Sequence, residues 1–352
     1  MKEFLKKKNV IISWKRYGID ALSAMAQGLF ASLLIGTIIS TLGSQFGIET
    51  LVTIGNYAKA ATGASMAIAI GFALQCPPLV LFSLASVGMA TNELGGAGGP
   101  LAVLLIAIVA AEFGKVVSKE TKVDIIVTPF VTIAVGIFLA MIFAPVIGKA
   151  ASSVGQAIMW ATELQPFLMG IIVSVVVGIA LTLPISSAAI CAALSLTGLA
   201  GGAAVAGCCA QMIGFAVMSF KENKWGGLFA QGIGTSMLQM PNIMKNPKIW
   251  LPPIIASAIT GPVTTCLFKM EMNGAAVSSG MGTCGLVGQI GVYTGWLADG
   301  IQITAVHWIG LILISFVLPG IICWLLGIFF RKIGWIKVKM RVKHHYYYEA
   351  KA

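Results

Sequence analysis

Residues able to do chemistry gather in two short stretches of this 352-residue chain. WGGLFAQGIGTSMLQMPN, from Trp225, carries Gln231, Thr235, Ser236, Gln239 and Asn242. NGAAVSSGMGTCGLVGQIGVYTGW, from Asn273, carries Ser279, Thr283 and Gln289. An amide offers donors and acceptors together, and a hydroxyl offers one donor and two lone pairs. Such groups suit recognition of a neutral polyol rather than bond breaking.

The elements that hold these groups must be apolar. The chain is 58% hydrophobic and 10% charged, the composition of a polytopic membrane protein with no room for a soluble catalytic domain. With about 20 apolar residues per span, ten helices are expected near 17–42, 51–72, 76–91, 100–117, 125–147, 167–183, 185–200, 201–220, 251–268 and 301–329. The first run is too long for a signal-peptide core and is read as a retained span. The expected fold class is an all-α polytopic membrane protein of about ten transmembrane helices plus two re-entrant hairpins, N-in and C-in.

Charge sets that orientation. Six basic residues precede Tyr17, six more fall in 331–343, and Lys119, Lys122, Lys221 and Lys224 lie in loops on the same side of a ten-span chain, which the positive-inside rule makes cytoplasmic. The net charge of +11 therefore marks span ends, and no nucleic acid is expected as a partner. Residues 1–16 mix lysines with Phe4, Leu5, Ile11, Ile12 and Trp14, a pattern for an interfacial segment on anionic membrane lipids. Residues 331–352 read as a basic cytoplasmic tail whose His344 and His345 are solvated rather than metal-binding.

The two polar stretches are too broken to be simple spans. Gly226, Gly227, Gly232 and Gly234 interrupt residues 226–241, and Lys224 and Lys245 flank them, so the segment enters and leaves by one face. Gly280, Gly282, Gly285 and Gly288 interrupt residues 275–296. The reading is a second hairpin, with a small-residue helix interface as its alternative.

Ionisable residues near membrane depth mark function by default. Glu163, Glu271 and His307 are the candidates. A pair with Lys269 is the alternative for Glu271, and an interhelical hydrogen bond that for His307. Glu112 and Lys115 can pair on one helix turn. The seven cysteines form no CxxC pair and read as packing residues. No HExxH is present, and GGAGGP lacks the GK[ST] of a phosphate cradle. Neither metal nor cofactor is expected, nor catalysis by this chain alone.

An internal similarity joins two segments. Pro78, Gly98–Gly99 and Lys119–Glu120 match Pro184, Gly201–Gly202 and Lys221–Glu222 in order. This is either a parallel repeat of the kind transporters use or a chance likeness of Gly/Ala-rich hairpins. LGGAGGPLAVLL, VSKETKVDIIVTP, TELQPFLMGIIVS, LTLPISSAAI, GTSMLQMPNIMKNPKIWLPP and SGMGTCGLVGQ resemble the enzyme IIC-like membrane family of the bacterial phosphotransferase system, which includes perfringolysin regulator-like proteins.

The resemblance implies a sugar-binding, sugar-translocating homodimer in the bacterial cell membrane, served by cytoplasmic IIB and IIA proteins that phosphorylate the sugar. It implies that residues 17–147 form the dimer half, 148–165 a connection, and 166–330 the transport half with both hairpins. Those transporters bind sugar through a hairpin acid and a nearby His, whereas the hairpins here carry only amides and hydroxyls. A membrane regulator of gene expression built on the same fold is therefore an alternative, and an ion-coupled symporter a further one.

Overall fold

The computed structural model describes residues 2–336 and 340–342. His344, His345 and the rest of the expected tail lie outside the described residues. Among those described, six helical stretches are long and apolar enough to cross a membrane: Lys15–Phe46, Pro78–Val117, Asp124–Thr162, Gly198–Met218, Pro247–Phe268 and Ala305–Lys332.

The N-terminal half is built from α1 (Lys2–Lys7), α2 (Lys15–Phe46), α3 (Glu49–Ala60), α4 (Thr62–Ala73), α5 (Pro78–Gly95), α6 (Gly99–Val117) and α7 (Asp124–Thr162). Gly47, with φ 67°, ends α2 in the left-handed region, where a residue without Cβ is unstrained. Expected span 51–72 is two helices that meet at Ala61. Gly96, with φ 49°, turns the chain between α5 and α6, which pack against each other and against α7.

The segment before α2 does not float free of the bundle. Lys8 bonds the Ser118 carbonyl and Glu120, Asn9 Nδ2 donates to Gln75 Oε1 at 2.8 Å, and the Asn9 carbonyl accepts from Lys115 Nζ at 2.9 Å.

The C-terminal half contains α8 (Pro166–Thr182), α9 (Ser187–Ala193), α10 (Gly198–Met218), α11 (Phe220–Phe229), α12 (Met240–Lys245), α13 (Pro247–Phe268), α14 (Val287–Ala298) and α15 (Ala305–Lys332). α10 is its axis, buried along almost its whole length. Glycine permits close approach: a Cβ on Gly207 would fall on the Ser174 carbonyl oxygen, and one on Gly261 on the Gly170 carbonyl. Such contacts replace the hydrophobic driving force that is absent between helices in lipid.

Two further expected elements differ. Residues 148–162, read as part of a connection, continue α7. Lys149, Ser152, Ser153 and Gln156 lower hydropathy there, but the interspersed Ala, Gln and Met keep helix propensity high. The expected span 185–200 is instead the seven-residue α9 followed by a break. Ser195 (φ 49°) and Gly198 (φ 64°) redirect the backbone before α10 begins. In the internal similarity, α6 and α10 correspond as long helices after a Gly turn, whereas α5 is matched only by the short α9.

Candidate functional site

Both polar stretches fold as hairpins. In the first, α11 leads through a wide turn to Gly234, Thr235 is fully extended (φ −157°, ψ 142°), and a tight turn at 236–239 leads back into α12. Its two ends meet one piece of chain: Asn223 Nδ2 donates to the Met340 carbonyl at 2.8 Å and Asn242 Nδ2 to the Arg341 carbonyl at 3.2 Å. In the second, Asn273 Nδ2 donates to Asp299 Oδ2 at 2.7 Å, which closes the base.

A third hairpin, α8–α9, was hidden in the sequence because its break follows an apolar run. Its base lies where Thr265 Oγ1 donates to the Pro166 carbonyl and Gly198 pairs with Met272.

The hairpin tips converge beside the middle of α10. Thr182 Oγ1 and Ser236 Oγ are 2.8 Å apart, and Thr283 Oγ1 donates to the Gly232 carbonyl. Gln211 of α10 accepts from Trp250 Nε1 at 2.8 Å and from Thr182. Every one of these hydroxyls and amides is buried except Trp250, which is half-buried. Away from water an unpaired polar group costs several kcal/mol, so interrupted backbone survives here because each tip satisfies another.

The residues singled out from the sequence divide into three groups. Gln231, Gln239 and Asn242 form one chain: Asn242 Nδ2 donates to Gln239 Oε1 at 2.8 Å, and Gln239 Nε2 to Gln231 Oε1 at 2.7 Å. Gln231 also donates to Ser219 Oγ, and Gln239 to the Met340 carbonyl. These amides are thus occupied by one another and by residues 340–342, which any ligand there would have to displace. Thr235 caps the turn through Met237 N–H.

Ser279, Thr283 and Gln289 are buried and hold the second hairpin in place. Ser279 donates to the Leu196 carbonyl, and Gln289 Nε2 to Ser315 Oγ at 2.9 Å, while Gln289 Oε1 has no partner among the described residues. Glu271 and His307 do come together, in a separate pocket of about 250 Å³ with Trp296, whose ring stands edge-on to His307 at 5.1 Å. Neither touches the amide chain. Glu163 is an exposed residue at the end of α7.

A cleft of about 440 Å³ lies between the two halves of the molecule. Thr37, Ser40, Thr41, Ser44 and Gln45 of α2 and Lys59 of α3 line one wall; Ser186, Ser278 and Thr294 line the other. The hydroxyls of Thr37, Ser40 and Ser44 donate to carbonyls of their own helix, which leaves the lone pairs of Thr37 and Ser44 for a ligand O–H, while Ser40 Oγ already accepts from Lys59 Nζ. Sequence reasoning passed over this wall, although its spacing i, i+3, i+4, i+7 puts four hydroxyls on one helix face.

Apolar helices enclosing interrupted, mutually hydrogen-bonded hairpins define a multi-pass membrane protein. The sequence model of the family described as Phosphotransferase system, EIIC matches residues 19–342, and the chain belongs to that family. It is a membrane component of the phosphotransferase system. No curated protein and no solved structure matches the chain.

Proposed function

We propose that this chain is the sugar-translocating IIC subunit of a phosphoenolpyruvate-dependent phosphotransferase system. In this reading it works as a homodimer in the bacterial plasma membrane, with cytoplasmic IIB and IIA proteins phosphorylating the sugar. The hydroxyl-lined cleft between the halves carries the proposal. Its volume of about 440 Å³ falls within the usual range for small-molecule sites, and its acceptor-rich wall suits the hydroxyls of a sugar. Access alternates as the hairpin-bearing half, 166–330, moves against 17–147. The hinge falls at 163–165, between the end of α7 and Pro166. Gln231, Gln239 and Asn242 then couple hairpin position to residues 340–342 rather than hold sugar first.

The test is phosphoenolpyruvate-dependent uptake in cells carrying Thr41→Val with Ser278→Ala. Loss of two ligand hydrogen bonds lowers uptake on the order of tenfold with the protein's membrane level unchanged; unaltered uptake removes the cleft from the transport path.

A second reading, a membrane regulator, is favoured by the hydrogen bonds from Asn223, Gln239 and Asn242 to residues 340–342. They give a ligand-dependent hairpin a direct mechanical link to the C-terminal segment. Deletion of the protein with changed gene expression but normal sugar uptake would support regulation over transport.

A further inference from the structure

One charged side chain in the cleft has no counter-ion. Lys59 lines the cleft from α3, and its Nζ donates to Ser40 Oγ at 3.1 Å. Among the described residues Lys59 is in no ion pair, and neither Asp nor Glu lines the cleft. An ammonium has three donors, and the hydroxyl takes one. Lys59 is half-buried; an ammonium drawn away from bulk water without compensation is costly, and lysines kept so pair with a partner or with what passes through. Snorkelling to a lipid headgroup is the usual escape. The bond to Ser40 instead brings this ammonium to the wall of hydroxyls that faces the hairpins.

We propose that the ligand of this cleft is a sugar acid, a polyol bearing one carboxylate. Lys59 pairs with the carboxylate, and Ser44, Ser186 and Ser278 accept from its hydroxyls. The inference rests on the sugar reading above and narrows the neutral polyol expected from the amide-rich hairpins. A carboxylate matches a single ammonium in charge, whereas a phosphate ester, carrying about −1.5 to −2 at neutral pH, would leave excess charge in the cleft. A substrate awaiting phosphorylation also arrives without phosphate.

The experiment measures binding to the purified full chain in detergent. D-gluconate, D-glucuronate and D-galacturonate are titrated beside D-sorbitol, D-glucose and D-galactose. The expected result is that at least one acid binds about 10- to 100-fold more tightly than its neutral counterpart, the range for one charge-assisted hydrogen-bonded pair. Lys59→Gln abolishes that preference and Lys59→Arg retains it. Should Lys59→Gln fail to give monodisperse protein, the acid-to-neutral ratio of the unmodified protein decides.

A neutral sugar that binds as tightly as any acid, unaffected by Lys59→Gln, overturns the inference and leaves the sugar reading standing. Binding of neither series overturns the sugar reading and this inference with it. Stabilisation by phosphatidylglycerol that depends on Lys59, with none by the acids, assigns the charge to lipid and also overturns the inference.

Discussion

The side-chain oxygens of Thr182 and Ser236, 54 residues apart in sequence, lie 2.8 Å from each other with both side chains fully buried. Two hairpins entering from opposite ends of α10 meet at this pair. Thr182→Val keeps the shape but leaves Ser236 Oγ without its cross-hairpin partner. The expected cost is about 1–3 kcal/mol, read as a lower unfolding temperature in detergent, with Thr182→Ser close to the unmodified protein. An unchanged midpoint for Thr182→Val would mean that the tips are held by packing alone.

Helix approach in the C-terminal half depends on the missing side chain of Gly207. A Cβ there would overlap the Ser174 carbonyl, so Gly207→Ala must push α8 and α10 apart, at about 1–3 kcal/mol for overpacking. Gly226 is the control, since a Cβ at that position meets nothing within 4 Å. Gly226→Ala is expected to be neutral or slightly stabilising by restricting the unfolded chain. Equal thermal midpoints for both variants would contradict the packing described.

That both polar stretches are interrupted was legible because glycines and amides rarely share an apolar chain without lining protein interior. The partners of those amides were not, because residues 340–342 are far away in sequence and meet them through main-chain carbonyls, which carry no side-chain signature. α9 escaped notice for the opposite reason: SSAAICAA is apolar, and the break after it rests on the positive φ of Ser195, a residue type that does not announce a turn. The cleft wall on α2 has a readable spacing, yet hydroxyls that bond back to their own helix pass easily within an apolar run. Lys59 is the one charged residue of the expected segment 51–72, and only the position of Ser40 shows which way it faces.

The N-terminal segment is anchored by a buried ion pair. Lys115 Nζ lies 2.7 Å from Glu112 Oε2, Tyr17 Oη donates to Glu112 Oε1 at 3.0 Å, and Lys115 is 2% exposed. Lys115→Met leaves a buried carboxylate without its cation and is expected to cost about 3–5 kcal/mol. Adding Glu112→Gln removes the stranded charge, so the double variant should unfold at a higher temperature than Lys115→Met alone. A double variant less stable than the single one would show that the Glu112 carboxylate is stabilised by the Tyr17 hydroxyl more than it is penalised by losing Lys115. Hydrogen exchange in residues 8–16 should rise in the single variant, because the Asn9 carbonyl loses its bond from Lys115.

Asn223 grips the C-terminal segment with both ends of its amide: Nδ2 donates to the Met340 carbonyl and Oδ1 accepts from Val342 N–H, each at 2.8 Å. Two hydrogen bonds to one side chain hold the backbone on either side of Arg341, whose own side chain is exposed. Asn223→Ala removes both, while Gln239 and Asn242 keep their single bonds to the same segment. Trypsin cleavage after Arg341 requires this stretch to leave the hairpin, so its rate reports the open population when reclosing is fast. The expected rise for Asn223→Ala is on the order of tenfold, the effect of about 1–1.5 kcal/mol of net hydrogen bonding. Asn223→Asp should fall between, since its carboxylate still accepts from Val342 N–H but cannot donate to Met340. Cleavage at the same rate in all three proteins would show that Met340 and Val342, both buried, are kept in place by their apolar contacts and not by the amide.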